Sequence, residues 1–425
     1  MDKILVAKLG SSSVTRDRGP DPIILANALD NALRARELGW GVVLVSSGAV
    51  SSGNALMVRQ GEEGTHRLAA AVGQPLLMDF YGSVASVSGS LTCQLLIGDA
   101  DLRSATQMHS IAQVIREALA HGIVPIVNGN DPANADRADN DSVAAGLAMM
   151  VGADRLLLLT DVDGVSVHDG APPAPLIEAG RLHEIRIHSG GSGRGGMRSK
   201  LRAAELAALN GIGTRIASAQ RTDAILADIR GESGGTEVRA AAGRPTSGRR
   251  WISGGAISQG RLTINIAAEE SIARGSGLFA SGIKRVRGDF VPGDVVELVG
   301  PSDRLLGRGV IKVSSVLLGL VRALKVTEIA YVMVSILRSG DAPPAGDGQE
   351  ERVRAALAAF ARLSADARRS LVVEILSLFP SETASALFAG AGGFDDLVER
   401  YVGLLESTNM IHRSYLVVFD ARAGS

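Results

Sequence analysis

The stretch IVPIVNGNDPANADRADNDSVAAGLAMMVGADRLLLLTDVDG, residues 123–164, combines two short apolar runs with a polar loop and a helical pattern. The apolar runs, residues 123–127 and 156–159, predict strands that are buried on both faces, as in a parallel sheet. Polar side chains follow both runs: Asn128, Asn130, Asp131, Asp139, Asn140, Asp141, Thr160 and Asp161. Because ligands bind at the carboxyl ends of strands in open α/β sheets, the stretch predicts a binding site. Asn and Asp also favour turns and helix caps, so a plain surface loop is the alternative at this point.

The same alternation of strand and helix patterns fills the N-terminal half of the chain. Further strand-like runs lie at residues 4–9, 42–45, 91–97 and 214–217. One of the helical patterns between them, at 68–84, is interrupted near Gly73. Such alternation predicts an α/β domain, a mainly parallel open sheet sandwiched by helices. We place this domain at residues 1–235 and a Gly/Ala/Arg/Ser-rich linker at 236–249.

The C-terminal part of the chain has a different pattern. Short strand-like runs predict a small β-rich domain, and they lie at residues 262–266, 282–286, 295–298, 307–311 and 415–419. Before the last run, residues 339–408 show an Ala/Leu/Arg-rich helical pattern. We therefore expect a β-rich domain at 250–338 and 409–420 that carries a helical insertion at 339–408. The apolar residues of the insertion recur at helical spacing, enough for a small helical unit of its own.

Composition restricts the class of protein. The chain has 425 residues, of which 46% are hydrophobic and 21% charged, as in a soluble globular protein. The formal net charge of −1 provides no general attraction to nucleic acid or to an anionic membrane. One cysteine, Cys93, excludes an intrachain disulfide framework. A reducing cytoplasm is the location that this cysteine content predicts.

Two positions are candidates for phosphate binding. Residues 191–196, GSGRGG, fit the GxGxxG pattern, but no early strand–helix unit precedes them and no acidic residue stands about 20 positions on, which argues against a nicotinamide site. The segment is either a flexible loop or a phosphate loop in which backbone N–H groups and the following helix act together with Lys200. Lys8 ends the first strand beside a Gly-Ser loop, where a buried ammonium needs a partner. We interpret it as a phosphate contact rather than an edge lysine that extends into solvent.

Seven motifs resemble a known family in both content and order. They are KLGSS (8–12), SSGA (46–49), AAVGQ (70–74), NGND (128–131), DND (139–141), LLTD (158–161) and GGMRSK (195–200). This order is similar to that of the glutamate 5-kinases, which belong to the amino acid kinase superfamily. Residues 251–296 resemble the PUA domain that is appended to bacterial glutamate 5-kinases. The resemblance implies an amino acid kinase fold followed by a PUA-like β domain.

The resemblance also implies roles for individual residues. Lys8 and Lys200 would lie on either side of the transferred phosphoryl group, with Asp141 holding both. The amino acid would be bound by Ser47, Asp131, Asn140 and Asn128, with Asp131 as the counter-charge of the α-ammonium. The nucleotide would be bound by Lys8, Gly10, Thr160, Asp161, Arg194, Gly195, Gly196, Met197 and Lys200. Gly10 and Gly48 would let the backbone approach phosphate oxygens closely. Mg²⁺ would be held mainly by phosphates and water, without dedicated protein ligands.

The implied reaction is ATP-dependent phosphorylation of the γ-carboxylate of L-glutamate to γ-glutamyl phosphate, the first step of proline synthesis. The resemblance further implies a homo-oligomer and a downstream reductase that receives the acyl phosphate. Two departures concern the substrate: the family usually has Glu at the position of Gly129, and residues 101–112 lack its Asn-Ala-Arg signature. A kinase for a glutamate analogue in secondary metabolism is therefore an alternative. A regulatory or RNA-binding protein on a degenerate kinase fold is another, suggested by the PUA-like segment.

Overall fold

The computed structural model describes residues 3–16, 19–133, 139–167, 171–185, 196–232, 234–242, 246, 249–321, 324–339, 351–378 and 394–419. The chain forms two compact units, of which the first comprises the residues up to Ile257 together with Phe419, and the second covers Ser258–Val418. Within the described residues, no helix is both long enough and apolar enough to cross a bilayer.

The first unit alternates strands and helices along the chain. Its strands are β1 (Lys3–Leu9), β2 (Thr15–Arg16), β3 (Gly19–Pro20), β4 (Trp40–Ser46), β5 (Thr92–Ile97), β6 (Val124–Gly129), β7 (Arg155–Thr160), β8 (Leu176–Glu178), β9 (Gly213–Ser218) and β10 (Thr236–Arg239). Its α-helices are α1 (Ser11–Val14), α2 (Pro22–Ala35), α3 (Ala49–Arg59), α4 (His66–Val87), α5 (Asp99–Arg103), α6 (Ala105–Ala120), α7 (Asn140–Val151), α8 (Met197–Leu209) and α9 (Ala224–Ile229). Short 3₁₀ turns at Arg36–Leu38 and Ala179–Glu184 and a π-turn at Trp251–Gly255 complete it.

The large sheet confirms the predicted fold class. Among the described residues its strand order is β5-β6-β4-β1-β7-β9-β10-β8. Every pairing from β5 to β9 is parallel, whereas β10 runs antiparallel to β9 and β8 runs parallel to β10. The sheet is therefore mainly parallel and open, and helices cover its faces.

The predicted linker at 236–249 is wrong over its first four residues, because Thr236–Arg239 form β10 of the large sheet. The side chain of Val238 is fully buried there, while Glu237 pairs with Arg155 and Arg215. The π-turn at Trp251–Gly255 also belongs to the first unit, although the sequence placed it in the β-rich domain. It packs on α7 at such short range that a Cβ on Gly254 would lie 1.8 Å from the sulfur of Met149.

Side-chain alternation along β1 explains how the sheet positions a charged residue. Leu5, Ala7 and Leu9 pack into a core with residues of α2, α4 and α9 on one face of the sheet. Because successive side chains of a strand point to opposite faces, Lys8 extends toward the other face, where α7 lies. The carboxyl ends of β6, β4, β1 and β7 lie side by side in the sheet. The polar residues that follow these strands are thereby collected at one edge.

The second unit is built around a smaller sheet. Its strands are β11 (Gly260–Ile264), β12 (Ile283–Arg287), β13 (Val295–Val299), β14 (Leu305–Val310) and β15 (Leu416–Val418). Its helices are α10 (Ile266–Ala273), α11 (Ser315–Val321), α12 (Val326–Ser339), α13 (Glu351–Ala361), α14 (Ala365–Ser377) and α15 (Phe394–Ser407). Among the described residues the strand order is β12-β11-β13-β14-β15, so the last strand of the chain pairs with β14.

The helices α13 to α15 share one core with this sheet, and the expectation of a separate helical core was wrong. Phe360, Ile375 and Tyr401 from the three helices belong to the same buried cluster as Leu262 and Leu298 from the strands. The reason lies in α12, whose side chains are buried almost all round, as a helix between two layers must be.

Candidate active site

One buried carboxylate holds two lysines at the edge of the large sheet. Asp141, in the first turn of α7, has an oxygen 2.6 Å from Lys8 Nζ and the other 3.4 Å from Lys200 Nζ. Asp141 is fully buried, and Lys8 and Lys200 are only 3% and 2% exposed. The three side chains come from β1, α7 and α8, which the fold brings together from distant parts of the sequence.

Burial alone disfavours the charged forms of Asp141 and Lys8, and the attraction between the two groups opposes this effect. Burial by itself would raise the pKa of Asp141, but the charges of Lys8 and Lys200 and the hydrogen bonds from Lys8 and Ser199 lower it below 3.8. Burial lowers the pKa of Lys8 below 10.5, and Lys200 acts in the same direction while Asp141 opposes both. Two buried ammonium groups share the Asp141 carboxylate, and the charge of Asp139 also acts on Lys8. Both ammonium groups would attract an anion placed beside them.

The helix ends around the cluster fix its geometry. The Asp139 side chain caps α7 by accepting from the Ser142 backbone N–H at 2.8 Å, which places Asp141 in the first turn, where the helix dipole favours a carboxylate. Ser199 Oγ, in the first turn of α8, donates to Asp141 Oδ2 at 2.6 Å. Ser199 belongs to the quoted motif GGMRSK, but its hydrogen bond to Asp141 was not predicted.

Beside the charged cluster lies a chain of hydrogen-bonded amides. Asn140 Nδ2 donates to Ser47 Oγ at 3.1 Å and to Asn128 Oδ1 at 3.0 Å. Asn128 Nδ2 in turn donates to Gln74 Oε1 at 2.9 Å. Ser47, Asn128 and Asn140 were predicted to act together, and the structure brings them into contact. Gln74 was part of a quoted motif but was not assigned a role.

Two side-chain oxygens converge over the backbone of Gly129. A Cβ atom built on Gly129 would lie 3.4 Å from Asn140 Oδ1 and 3.5 Å from Asp131 Oδ1. Asp131 and Asn140 are two of the predicted amino acid contacts. Their oxygens lie at ordinary van der Waals distance from the position that a Cβ atom on Gly129 would take.

Comparison with known proteins assigns the chain to a family. The model of the amino acid kinase family matches residues 3–218, and that of the PUA domain matches residues 260–332. A glutamate 5-kinase of Synechococcus sp. (strain JA-3-3Ab) is 33% identical over 347 residues, which cover 77% of this chain and 93% of the relative. The chain belongs to the glutamate 5-kinase family of amino acid kinases. The glutamate 5-kinase of Deinococcus radiodurans is 35% identical over 323 residues, covering 72% of this chain and 88% of the relative. The structure of Giardia carbamate kinase gives a TM-score of 0.43 at 16% identity, covering 56% of this chain and 99% of that chain.

Two helices of this amino acid kinase approach each other unusually closely behind the site. A Cβ on Gly53 of α3 would lie 1.9 Å from the Ala69 carbonyl oxygen, and one on Gly73 of α4 would lie 1.8 Å from the Ala49 carbonyl oxygen. Only glycine is compatible with these backbone contacts. The sequence predicted that the helix is interrupted near Gly73. This prediction is wrong, because α4 continues through Gly73, which lets α4 pack closely on α3. This contact positions its neighbour Gln74 next to Asn128.

Five of the remaining predicted nucleotide residues lie in the described part of the chain: Gly10, Thr160, Asp161, Gly196 and Met197. Gly10 donates its backbone N–H to the Leu159 carbonyl at 3.2 Å, and a Cβ on it would lie 3.8 Å from Lys8 Nζ. Thr160 Oγ1 donates to Asp161 Oδ1 at 3.0 Å at the end of β7. Gly196 is the N-cap of α8 and Met197 its first residue. Arg194 and Gly195 lie outside the described residues. In the described part of the chain, His, Cys, Asp and Glu form no group of three or more that would hold a metal ion.

Proposed function

We propose that this protein transfers the γ-phosphoryl group of ATP to the γ-carboxylate of L-glutamate and forms γ-glutamyl phosphate, the first step of proline synthesis. The observation that carries this proposal is the Lys8–Asp141–Lys200 cluster, with its two buried ammonium groups, next to the amides of Asn140 and Asn128. The membership in the glutamate 5-kinase family supports the choice of glutamate.

The residues of the cluster meet the needs of phosphoryl transfer. The attacking carboxylate is already ionised at neutral pH, since the side chain of glutamate has a pKa of about 4.3, and needs no general base. Its oxygen forms a bond to the γ-phosphorus while the bond to the β,γ-bridging oxygen breaks, and ADP leaves with that electron pair. Charge builds up on the phosphoryl oxygens and on the leaving oxygen. Lys8 and Lys200 stabilise this charge, and Asp141 holds both ammonium groups in place before the reaction begins.

The nucleotide would lie over Gly10 and the start of α8. Gly10 adds no side chain beside Lys8, so phosphate oxygens reach the ammonium group and the backbone together. Thr160 and Asp161, at the end of β7, and the segment 194–200 would contact the rest of the nucleotide. Mg²⁺, held mainly by phosphate oxygens and water, would neutralise part of the phosphate charge.

The amino acid would lie over Gly129. Its α-ammonium group would lie near the oxygens of Asp131 and Asn140, which would share its charge and its hydrogen bonds. From that position the side chain of glutamate would extend toward Asp141, which follows Asn140 in the chain. This would bring the γ-carboxylate to the two lysines.

A panel of amino acids tested with ATP checks the proposal. We expect ADP release and, with hydroxylamine as a trap, a hydroxamate from L-glutamate in preference to aspartate, glutamine and extended glutamate analogues. A higher rate with an analogue would assign the chain to the specialised kinases that the sequence left open. No ATP consumption with any amino acid, together with RNA binding that persists in Lys8→Ala, would overturn the proposal in favour of a degenerate kinase.

Replacement of Asp131 or Asn140 by alanine should raise the KM for the amino acid about 10- to 100-fold, because each loses a hydrogen bond to a charged group, worth about 1.5–3 kcal/mol. The KM for ATP should change little. Steady-state kinetics with each substrate varied in turn measure both values, and Asp79→Ala, an exposed change on α4, is the control. Equal increases in both KM values would mean that the loop only supports the fold.

The rate should fall at alkaline pH as Lys8 loses its proton. Burial lowers the pKa of Lys8, so the fall should begin at a lower pH than an ordinary lysine with its pKa of 10.5 would give. Lys8→Arg should be slower, but its rate should persist to higher pH because a guanidinium remains charged. The measurement is kcat against pH for both proteins, with circular dichroism at each pH as a check on folding. The same alkaline limb in both would assign the titration to another group.

Two partner predictions follow from the family resemblance alone. We propose that the chain forms a homo-oligomer and that a reductase takes over the acyl phosphate, which is prone to hydrolysis in water.

A further inference from the structure

The amide chain beside the active site ends in a hydrogen-bond donor that the proposed mechanism does not yet use. Gln74, on α4, is 8% exposed and lies in contact with Asn128. Its Nε2 atom is buried and has no hydrogen-bond partner among the described residues. A buried amide N–H₂ without a partner costs free energy, so a site that retains one has a use for it.

The orientation of this amide is fixed by the backbone. The N–H of Gly129 is a donor only, and it donates to Asn128 Oδ1 at 2.9 Å. Asn128 must therefore present Nδ2 on its other side, where it donates to Gln74. Gln74 can receive that bond only through Oε1, and its Nε2 necessarily faces away from Asn128. The orientation of the Gln74 amide is therefore fixed by a series of hydrogen bonds, a relay that starts at the backbone N–H of Gly129.

Hydrogen bonds connect Gln74 to the predicted amino acid contacts. Gln74 contacts Asn128, Asn128 contacts Asn140, and Asn140 is followed in the sequence by Asp141 with its two lysines. With the γ-carboxylate of L-glutamate at the lysines and its ammonium near the acceptor oxygens of Asn140 and Asp131, the α-carboxylate is the remaining hydrogen-bond acceptor of the substrate. The donor of Gln74, unpartnered within the described part of the chain, matches that group.

We propose that Gln74 Nε2 donates a hydrogen bond to the α-carboxylate of the amino acid substrate and so determines specificity at that end of the molecule. This inference rests on the proposed function of the site. It identifies the required chemistry of the substrate as an anionic oxygen next to the ammonium group. A substrate with an amide at that place would leave the donor opposed by another N–H₂ group.

Gln74→Glu tests the inference because it changes only one atom of the relay. The carboxylate that this substitution introduces can still accept from Asn128, but it presents an acceptor where Gln74 presents a donor. The probes are L-glutamate and L-glutamic acid α-amide, which retains the ammonium and the γ-carboxylate. We expect the wild type to prefer L-glutamate in kcat/KM by on the order of 10² or more. In Gln74→Glu the preference for L-glutamate should fall by a factor of about 10² or more, or be replaced by a preference for the α-amide. The α-amide can donate to the introduced carboxylate, whereas the α-carboxylate is repelled by it.

Three further measurements make the result decisive. Gln113→Glu, the same change on an exposed position of α6, should keep the wild-type preference. If Gln74→Glu does not fold, Gln74→Met removes the donor without adding a charge, and its activity on L-glutamate should fall more than its activity on the α-amide. An unchanged preference in an active, folded Gln74 variant would overturn the inference and mean that Nε2 binds an ordered water. Absence of hydroxamate from every amino acid with the wild type would instead overturn the proposed function.

Discussion

Lys8→Met and Lys200→Met should each lower kcat by a factor of about 10² or more, with a much smaller change in the KM for ATP. Methionine retains the length of the side chain and removes the charge. Both lysines contact Asp141, and both are almost completely buried, so each acts where water cannot replace it. A charge in such a place stabilises the transferred phosphoryl group far more than it would in solvent. Single-turnover measurements with saturating ATP and glutamate give the effect on the chemical step directly.

The control is Lys3→Met, the same substitution at the exposed start of the same strand. It should leave kcat unchanged within a factor of about 2. The double variant Lys8→Met/Lys200→Met should also lose stability, because Asp141 would then be a fully buried carboxylate without either lysine. Loss of ATP affinity alone, with kcat retained in both single variants, would show that the lysines bind nucleotide without acting on the transition state.

Much of the large sheet could be predicted because its central strands are apolar on both faces. β4, Trp40–Ser46, is buried along its whole length, and the sequence shows this as an uninterrupted apolar run. β10, Thr236–Arg239, could not be found in this way. It has one fully buried apolar side chain, Val238, between polar residues, and its existence depends on pairing with β9. Sequence periodicity does not contain that long-range partner.

The site was predictable in its residue types and in its central ion pairs, but not in its supporting hydrogen bonds. Polar residues after buried strands predicted a binding site at the carboxyl ends of the strands, and the family resemblance implied the contact of Asp141 with both lysines. The hydrogen bonds that Ser199 and Gln74 make there were not predicted, because they depend on how the helices pack. Gln74 was missed for a related reason: the glycine before it predicted a break in a helix, whereas it lets α4 pack tightly on α3. Glycine has the same appearance in a sequence whether it serves a turn or a close contact.

Truncation of the chain before Met410 should unfold the second unit. The removed segment supplies β15, which pairs with β14, and a second connection in which the N–H of Leu278 donates to the Ile411 carbonyl at 3.0 Å. It also supplies Met410, Ile411 and Leu416, which are 2%, 0% and 5% exposed. Each such side chain contributes about 1.5–3 kcal/mol on burial, and the unpaired backbone adds to the loss. The sum of the three is comparable with the whole stability of a domain, about 5–15 kcal/mol.

The outcome can be localised to the second unit. The two tryptophans of the chain, Trp40 and Trp251, both belong to the first unit, so their fluorescence follows the kinase sheet. Hydrogen exchange of peptides from β11 to β14 follows the second unit, and we expect the truncated chain to lose protection there while tryptophan fluorescence is retained. Ile411→Ala should lower the free energy of unfolding of the second unit by about 2–5 kcal/mol. Tyr415→Ala should leave it nearly unchanged, because the side chain of Tyr415 is 55% exposed.

A short Gly/Ser linker in place of residues 340–407 should unfold the second unit as well, even though β15 would be retained. Such a linker removes Phe360, Ile375 and Tyr401 from the core that also contains Leu262 and Leu298. The exposed face of α12 would then be apolar and would have no partner. Full protection of β11 to β14 in the linker variant would show that α13 to α15 form an independent unit after all. Full protection in the truncated chain would show that the sheet is complete without β15.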